Sequence, residues 1–272
     1  MEYLLLFLIG IIAGFFSGTF GVGGGFIVVP MLYAVMGLPP EVVVSTSAFQ
    51  MVGTSFSGAI THVFNKNIKY KAVFYLTLPA LVSSYFGVYL TKFLAQDEKI
   101  AFNNIGISQS DVVLTSILVV LFLSMGVFSI TQAKRTLPGI NAASGKKKHA
   151  GVIYYAAVGL LAGFCPAMLG LGGGFIMVPF LMYFVGFTPV QSAAASLGQI
   201  FFISAASTFF YFQAGQFHPY YVAAILFGSI PAASFFAHRS KKYSPEKVKV
   251  GFGILCLLAM LIQIAGFVKK LF

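Results

Sequence analysis

Three consecutive glycines in an otherwise continuous apolar run most constrain what this chain can fold into. They lie in Gly21-Val22-Gly23-Gly24-Gly25-Phe26-Ile27-Val28-Val29-Pro30, and they return as Gly170-Leu171-Gly172-Gly173-Gly174-Phe175-Ile176-Met177-Val178-Pro179. The offset from Gly21 to Gly170 is 149 residues. A glycine triplet interrupts a helix and leaves backbone N–H and C=O groups open, which hydrocarbon cannot satisfy. Such backbone is tolerated at membrane depth only where protein buries it or a cavity hydrates it. Two matching interruptions in two halves of one chain point to a transporter's binding site.

A bilayer setting follows from composition. Of 272 residues, 58% are hydrophobic and 8% charged, against about 25% charged in soluble domains. The six acidic residues, Glu2, Glu41, Asp97, Glu98, Asp111 and Glu246, fall at the ends of apolar segments or between them. With no carboxylate expected within a span, a relay of Asp or Glu residues is excluded. The net charge of +11 reads as loop Lys and Arg that set orientation, not as a nucleic-acid surface. Cys165 and Cys256 lack metal-ligand spacing, so no metal site is expected. Cys165, beside the second break, reads as a small apolar replacement for Phe16. The first sixteen residues carry Glu2, no Lys or Arg and no small-residue cleavage site, so they read as structure and not as a signal peptide.

Apolar segments run over about 2–17, 26–37, 41–64, 72–94, 111–133, 150–165, 175–187, 189–213, 219–237 and 248–268. The expected fold is all-α and polytopic, with about 8–10 membrane segments. The four segments flanking the glycines are short, either tilted spans or hairpins that enter and turn back. Lys66, Lys69 and Lys71 mark one cytoplasmic loop, and Arg239, Lys241 and Lys242 mark another. The loop at 95–110, with Asp97 and Glu98, reads as external. The halves are 1–133 and 150–272, joined by a basic cytoplasmic linker at 134–149. This map gives the halves inverted topology and leaves Lys269 and Lys270 external. Aligning residues 14–62 with 163–211 needs no gap and gives about sixteen identities. Beyond that the match fades and shifts by about three residues, near Pro79-Ala80 against Pro231-Ala232.

A helix starting after each break would present free N–H groups and the positive end of its dipole. Gly23, Gly24 and Gly25 facing Gly172, Gly173 and Gly174 would then form a midplane anion site without a buried cation. Ser47 and Gln50, with counterparts Ser196 and Gln199, are the side-chain candidates. Ser47, Gln50 and Thr54 share one helical face, and a Gln amide can donate to a substrate oxygen. Ser55 matches Ser204, and such hydroxyls also serve interhelical hydrogen bonds. Pro30 and Pro179 lie too far in to cap a helix and are expected to kink it. His62, near the end of a span, is the candidate proton carrier. No P-loop, dinucleotide fingerprint or H-E-x-x-H occurs, and no nucleophile with a base in reach is apparent. Hence no catalytic residue, no cofactor and no enzyme activity are expected.

The pattern G-F-x-S-G-x-x-G-x-G-G-G-F-x-x-x-P, at Gly14 to Pro30 and degenerate at Gly163 to Pro179, resembles the sulfite exporter (TauE/SafE) family, also described as toluene sulfonate uptake permeases. The resemblance extends over essentially the whole chain. It implies a secondary transporter of small sulfur-containing anions, such as sulfite, sulfoacetate or other organosulfonates, in the cell's inner (plasma) membrane. The expected partners are that anion and the lipid bilayer, with no nucleic acid; a homodimer is compatible with the reading. Export, electrically downhill for an anion, is the favoured direction. An anion channel and a non-transporting receptor or assembly protein are the alternatives.

Overall fold

The computed structural model describes residues 2–96, 109–135, 152–213, 218–242 and 244–271. The loop carrying Asp97 and Glu98, and the linker from residue 136 onward, lie outside the described residues. Every apolar segment of the sequence became a helix: α1 (Glu2–Phe20), α2 (Gly25–Met36), α3 (Pro40–Phe64), α4 (Tyr70–Gln96), α5 (Gln109–Arg135), α6 (Val152–Leu169), α7 (Gly174–Phe180), α8 (Pro189–Gln213), α9 (Pro219–Arg239) and α10 (Pro245–Leu271). The protein is an all-α polytopic membrane protein. Among the described residues, six helices are long and apolar enough to cross a bilayer by length and composition: α1, α4, α5, α8, α9 and α10. Large apolar side chains such as Phe74, Val120 and Phe227 face outward, as a lipid-facing surface requires.

Two helices beside the breaks are longer than their apolar runs. α1 has 19 residues and α6 has 18, because the helix continues through Ser17-Gly18-Thr19 and its counterpart Pro166-Ala167-Met168. Small residues keep those last turns pressed against a neighbour. By contrast α2 has 12 residues, about 18 Å of helix, which covers little more than half a hydrocarbon core. Ring contact between Phe16 and Phe26 folds α2 back along α1. Each flanking pair is therefore a long helix and a half-helix, joined by the glycines.

Contacts fix the helix directions. Gly10, Gly14 and Gly18 of α1 lie against Ile225, Ser229 and Ala233 of α9 in ascending order, so these two run parallel. Gly159 and Gly163 of α6 lie against Leu76 and Ala80 of α4 in the same way. Leu76 and Ile225 are 149 residues apart, as are Ala80 and Ser229. The spatial register therefore keeps one offset through α4 and α9, and the three-residue shift in sequence similarity is not a shift in packing. Val44, at the start of α3, packs on Gly170 past the end of α6, and Ala193, at the start of α8, packs on Gly21 past the end of α1. Thus α9 runs with α1, and α4 with α6.

At one end, Lys270 of α10 pairs with Asp111 of α5 at 2.8 Å, and Tyr33 of α2 donates to the same carboxylate oxygen at 2.9 Å. The Lys270 ammonium also lies 4.3 Å from the Tyr33 ring centre. The Lys270 ammonium is thus paired with an acid at its own end of the bundle.

A Cβ at Gly14 would overlap the Ser229 carbonyl oxygen and come within 2.9 Å of its Cα. Gly14→Val is expected to cost about 1–3 kcal/mol by overpacking, read as a lower unfolding temperature in detergent, with Gly163→Val equally affected. In Gly37→Ala, where a Cβ meets nothing within 4 Å, the cost should be about 1 kcal/mol, from the left-handed backbone alone.

Candidate functional site

The two breaks interlock against the first halves of the 25-residue helices α3 and α8, from Val44 to Met51 and from Ala193 to Ile200. Gly21, Gly23 and Gly24 have φ of 75, 83 and 81°, and Gly170 and Gly172 have 68 and 75°. Only glycine adopts such angles without strain, so the run needs its glycines for conformation. It needs them for space as well. A Cβ at Gly25 would overlap Gly170 O, and one at Gly174 would overlap Gly21 O. These contacts are related by the offset of 149, so each half-helix begins against a carbonyl of the other half's break.

The breaks differ at one position. Gly24 precedes α2 in the left-handed region, whereas its counterpart Gly173 precedes α7 with φ −59° and ψ −19°. The helices that follow differ too. Pro30 lies inside α2, which stays α-helical to Met36. Pro179 is followed by a π-helical stretch, Leu181–Val185, closed by the Phe187 N–H on Leu181 O at 2.9 Å. Proline removes an N–H from the helical ladder and disturbs the turn around it, and the second half shows that disturbance as a changed helix type.

The candidate residues come together. Ser47 Oγ donates to Gly170 O at 2.6 Å, which gives the second break's carbonyl a partner from the first half. Gln50 Nε2 lies 3.3 Å from where a Gly24 Cβ would stand, and Gln199 Oε1 lies 3.5 Å from the same point at Gly173. Gln50 Nε2 donates to Thr54 Oγ1, and that oxygen lies 2.9 Å from both Gln50 O and Ser229 Oγ. Ser196 Oγ lies 2.6 Å from a Cβ position at Gly174. Ser47, Gln50, Ser196 and Gln199 are all fully buried.

Hydrogen bonding separates the halves. Ser47 and the Gln50 amide nitrogen are paired. Ser196 Oγ, Gln50 Oε1 and both amide atoms of Gln199 have no partner. Buried polar atoms are nearly always hydrogen-bonded, so four such atoms around the two breaks, three of them at the second, require an explanation. Ser55 and Ser204 supply none, since their hydroxyls donate back to Met51 O and Ile200 O of their own helices. His62 is buried, but twelve residues along α3 from Gln50, about 18 Å away. Its Nδ1 is 3.3 Å from Asn67 Nδ2, so the structure does not bring this residue to the breaks. The side chain of Cys165 lies outside the described residues; Cys256 is buried in α10.

Nothing in the sequence marks what fills the middle. Met51 Sδ stands 2.6 Å from Cβ positions at both Gly25 and Gly172, and Ile200 side-chain carbons stand 3.1 Å from one at Gly23. Met51 and Ile200 are counterparts at the same offset. Apolar residues in an apolar sequence carry no signal, yet here they form the plug between the breaks. The cavity beside them, bordered by Ala167, Gly173, Ser204 and Ser207, offers about 10 Å³ to water centres, room for about one water. The centre is closed.

Long apolar helices around two interlocked half-helices, with unpaired amides at the junction, define a multi-pass membrane protein of the transporter class. The chain belongs to the sulfite exporter TauE/SafE family, whose model matches residues 6–262. It is 24% identical to the probable membrane transporter protein YunE of Bacillus subtilis, over 84% of this chain and 85% of that one. It is 28% identical to a probable membrane transporter protein of Methanocaldococcus jannaschii, over 84% of this chain and 79% of that one. A segment of 83 residues, 30% of this chain, is 33% identical to 17% of sulfite exporter TauE/SafE family protein 3 of Arabidopsis thaliana. No solved structure matches significantly. The protein is a membrane transporter.

The unequal hydrogen bonding makes the two serines distinguishable. Ser47→Ala should destabilise the protein by about 1–2 kcal/mol by stripping a partner from a buried carbonyl, whereas Ser196→Ala should be neutral or slightly stabilising. Thermal unfolding of both variants in one detergent checks the contrast.

Proposed function

We propose that the protein is a secondary transporter of a small oxyanion, a sulfite or an organosulfonate, which binds at the glycine breaks and is carried by alternating access. The observation that carries this reading is the set of unpaired polar atoms on Gln50, Ser196 and Gln199, fully buried beside backbone that hydrocarbon could not tolerate. Amide NH₂ and hydroxyl groups can donate to sulfonate oxygens, and the first turns of α2 and α7 add backbone N–H groups and the positive dipole end. No cation is needed, and the site takes an anion of low charge.

Gly25 and Gly174 lie against opposing carbonyls and Met51 fills the gap, so an anion must separate the halves to enter. That suits a carrier with a closed intermediate. The loop charges of Lys66, Lys69 and Lys71, and of Arg239, Lys241 and Lys242, support inverted topology, with the Asn65–Lys71 turn and the end of α9 on the cytoplasmic side of the plasma membrane. Each half would then open its break to one face. The favoured direction is export, which the membrane potential drives by about 2.3 kcal/mol per charge per 100 mV without a coupling ion. The family name and the relatives' transporter names support transport and give no support to an enzyme.

A thermal-shift screen of purified protein against sulfite, sulfoacetate, taurine, thiosulfate, sulfate and a carboxylate tests the ligand class. Stabilisation by sulfite or a sulfonate, and not by the carboxylate, is expected; none from any sulfur anion would end the proposal. Gln199→Ala should abolish that stabilisation and Gln50→Ala weaken it. If both keep wild-type stabilisation and uptake, the amides are not ligands.

A further inference from the structure

The seam between α3 and α9 differs from its counterpart between α8 and α4. From Gln50, polar side chains follow one face of α3 at 54, 57 and 61, and each reaches α9. Thr54 Oγ1 is 2.9 Å from Ser229 Oγ, Ser57 Oγ donates to Ile230 O at 2.9 Å, and Thr61 Oγ1 is 3.0 Å from Ser234 Oγ. Eleven residues of helix separate Gln50 from Thr61, about 16 Å, or half a hydrocarbon core. The ladder ends in a cleft of about 560 Å³ bordered by Thr61, Asn65, Ser234, His238 and Arg239.

The other seam has the same backbone and none of these groups. At the offset of 149, Thr54, Ser57 and Thr61 become Ile203, Ala206 and Phe210, and Ser229, Ser234 and Arg239 answer to Ala80, Tyr85 and Leu90. Where one seam has its Thr61–Ser234 rung, the other has Tyr85 edge-on to Phe210, ring centres 5.3 Å apart. If interhelical bonding alone explained the hydroxyls, both seams would need them, since both hold the same pair of packed helices. The polar seam continues the paired amide of Gln50 towards one face only.

At the mouth, the Arg239 guanidinium lies 4.3 Å from the Phe235 ring centre, which orients its planar fork. No carboxylate among the described residues pairs with it; the ion pair found, Lys270–Asp111, is at the opposite end. A guanidinium held this way suits bidentate recognition of an oxyanion.

We propose that this cleft is a docking site for the transported oxyanion, with Arg239 as its principal ligand, and that the α3–α9 seam is the cytoplasmic limb of the path to the breaks. Thr54 and Ser229, both fully buried, form its closed constriction. The proposal rests on the transport reading above.

Uptake of radiolabelled sulfite and sulfoacetate into inside-out and right-side-out vesicles tests it. Arg239→Gln should raise the half-saturating concentration about tenfold when the anion is offered at the Arg239 face, leave the other face unchanged, and be largely rescued by Arg239→Lys. Thr61→Val should lower the maximal rate from that face without changing thermal stabilisation of the purified protein. If Arg239→Gln transports normally, the docking site is overturned while transport stands. If it transports normally but loses stabilisation by short-chain phosphatidylglycerol, the cleft holds a lipid phosphate and the proposal is equally overturned. Wild-type protein that neither moves nor is stabilised by either anion would overturn the transport reading itself, and this inference with it.

Discussion

Everything near the centre of this molecule follows from one requirement: peptide groups released by a helix break inside a bilayer must find partners within the protein. Here each break is covered by the other. Gly25 lies against a carbonyl of the second break and Gly174 against one of the first, while Ser47 crosses between halves to donate to Gly170 O. Neither half could bury its interruption alone. The glycines are thus indispensable twice, for positive φ and for the absence of a Cβ where two backbones touch. The same demand places the breaks against the first halves of α3 and α8, where those helices carry Ser47, Gln50, Ser196 and Gln199.

Two nearly identical segments nevertheless settle into different structures. Gly24 is left-handed and Gly173 is not; α2 is α-helical past its proline, while the second half passes into a π-helical stretch after Pro179. Hydrogen bonding divides the same way, with Ser47 and the Gln50 amide nitrogen paired and Ser196 and Gln199 unpaired. The near-duplicate segments thus hold different local arrangements within one molecule, and the unpaired atoms fall mainly on the second.

Much of this was legible in the residues, and the omissions have physical reasons. The breaks and the gathering of Ser47, Gln50, Ser196 and Gln199 could be read because glycine and buried amides are costly in hydrocarbon and therefore conspicuous. The full lengths of α1 and α6 could not, since Ser17-Gly18-Thr19 resembles a loop until a neighbouring helix is seen to need small residues there. Met51 and Ile200 were invisible for the opposite reason: nothing marks one apolar residue among many. The constant register of α4 and α9 was hidden because their packing is recorded in neighbouring glycines of α1 and α6, and not in their own similarity. His62 stands where its place in the sequence put it, near the end of α3 and away from the breaks.

The Asp111–Lys270 pair bears on how such a chain is oriented at all. Orientation rules count cations, and a lysine near the end of the last helix would ordinarily favour retention on the cytoplasmic side. A lysine joined to an aspartate on the same face carries no net charge through the transmembrane field. Whichever side that end occupies, the electrical work on one member cancels the work on the other, about 2.3 kcal/mol per charge per 100 mV in each direction. Folding α10 against α5 thus sets one cation of that end beside an anion, so the field does no net work on the pair wherever the end lies.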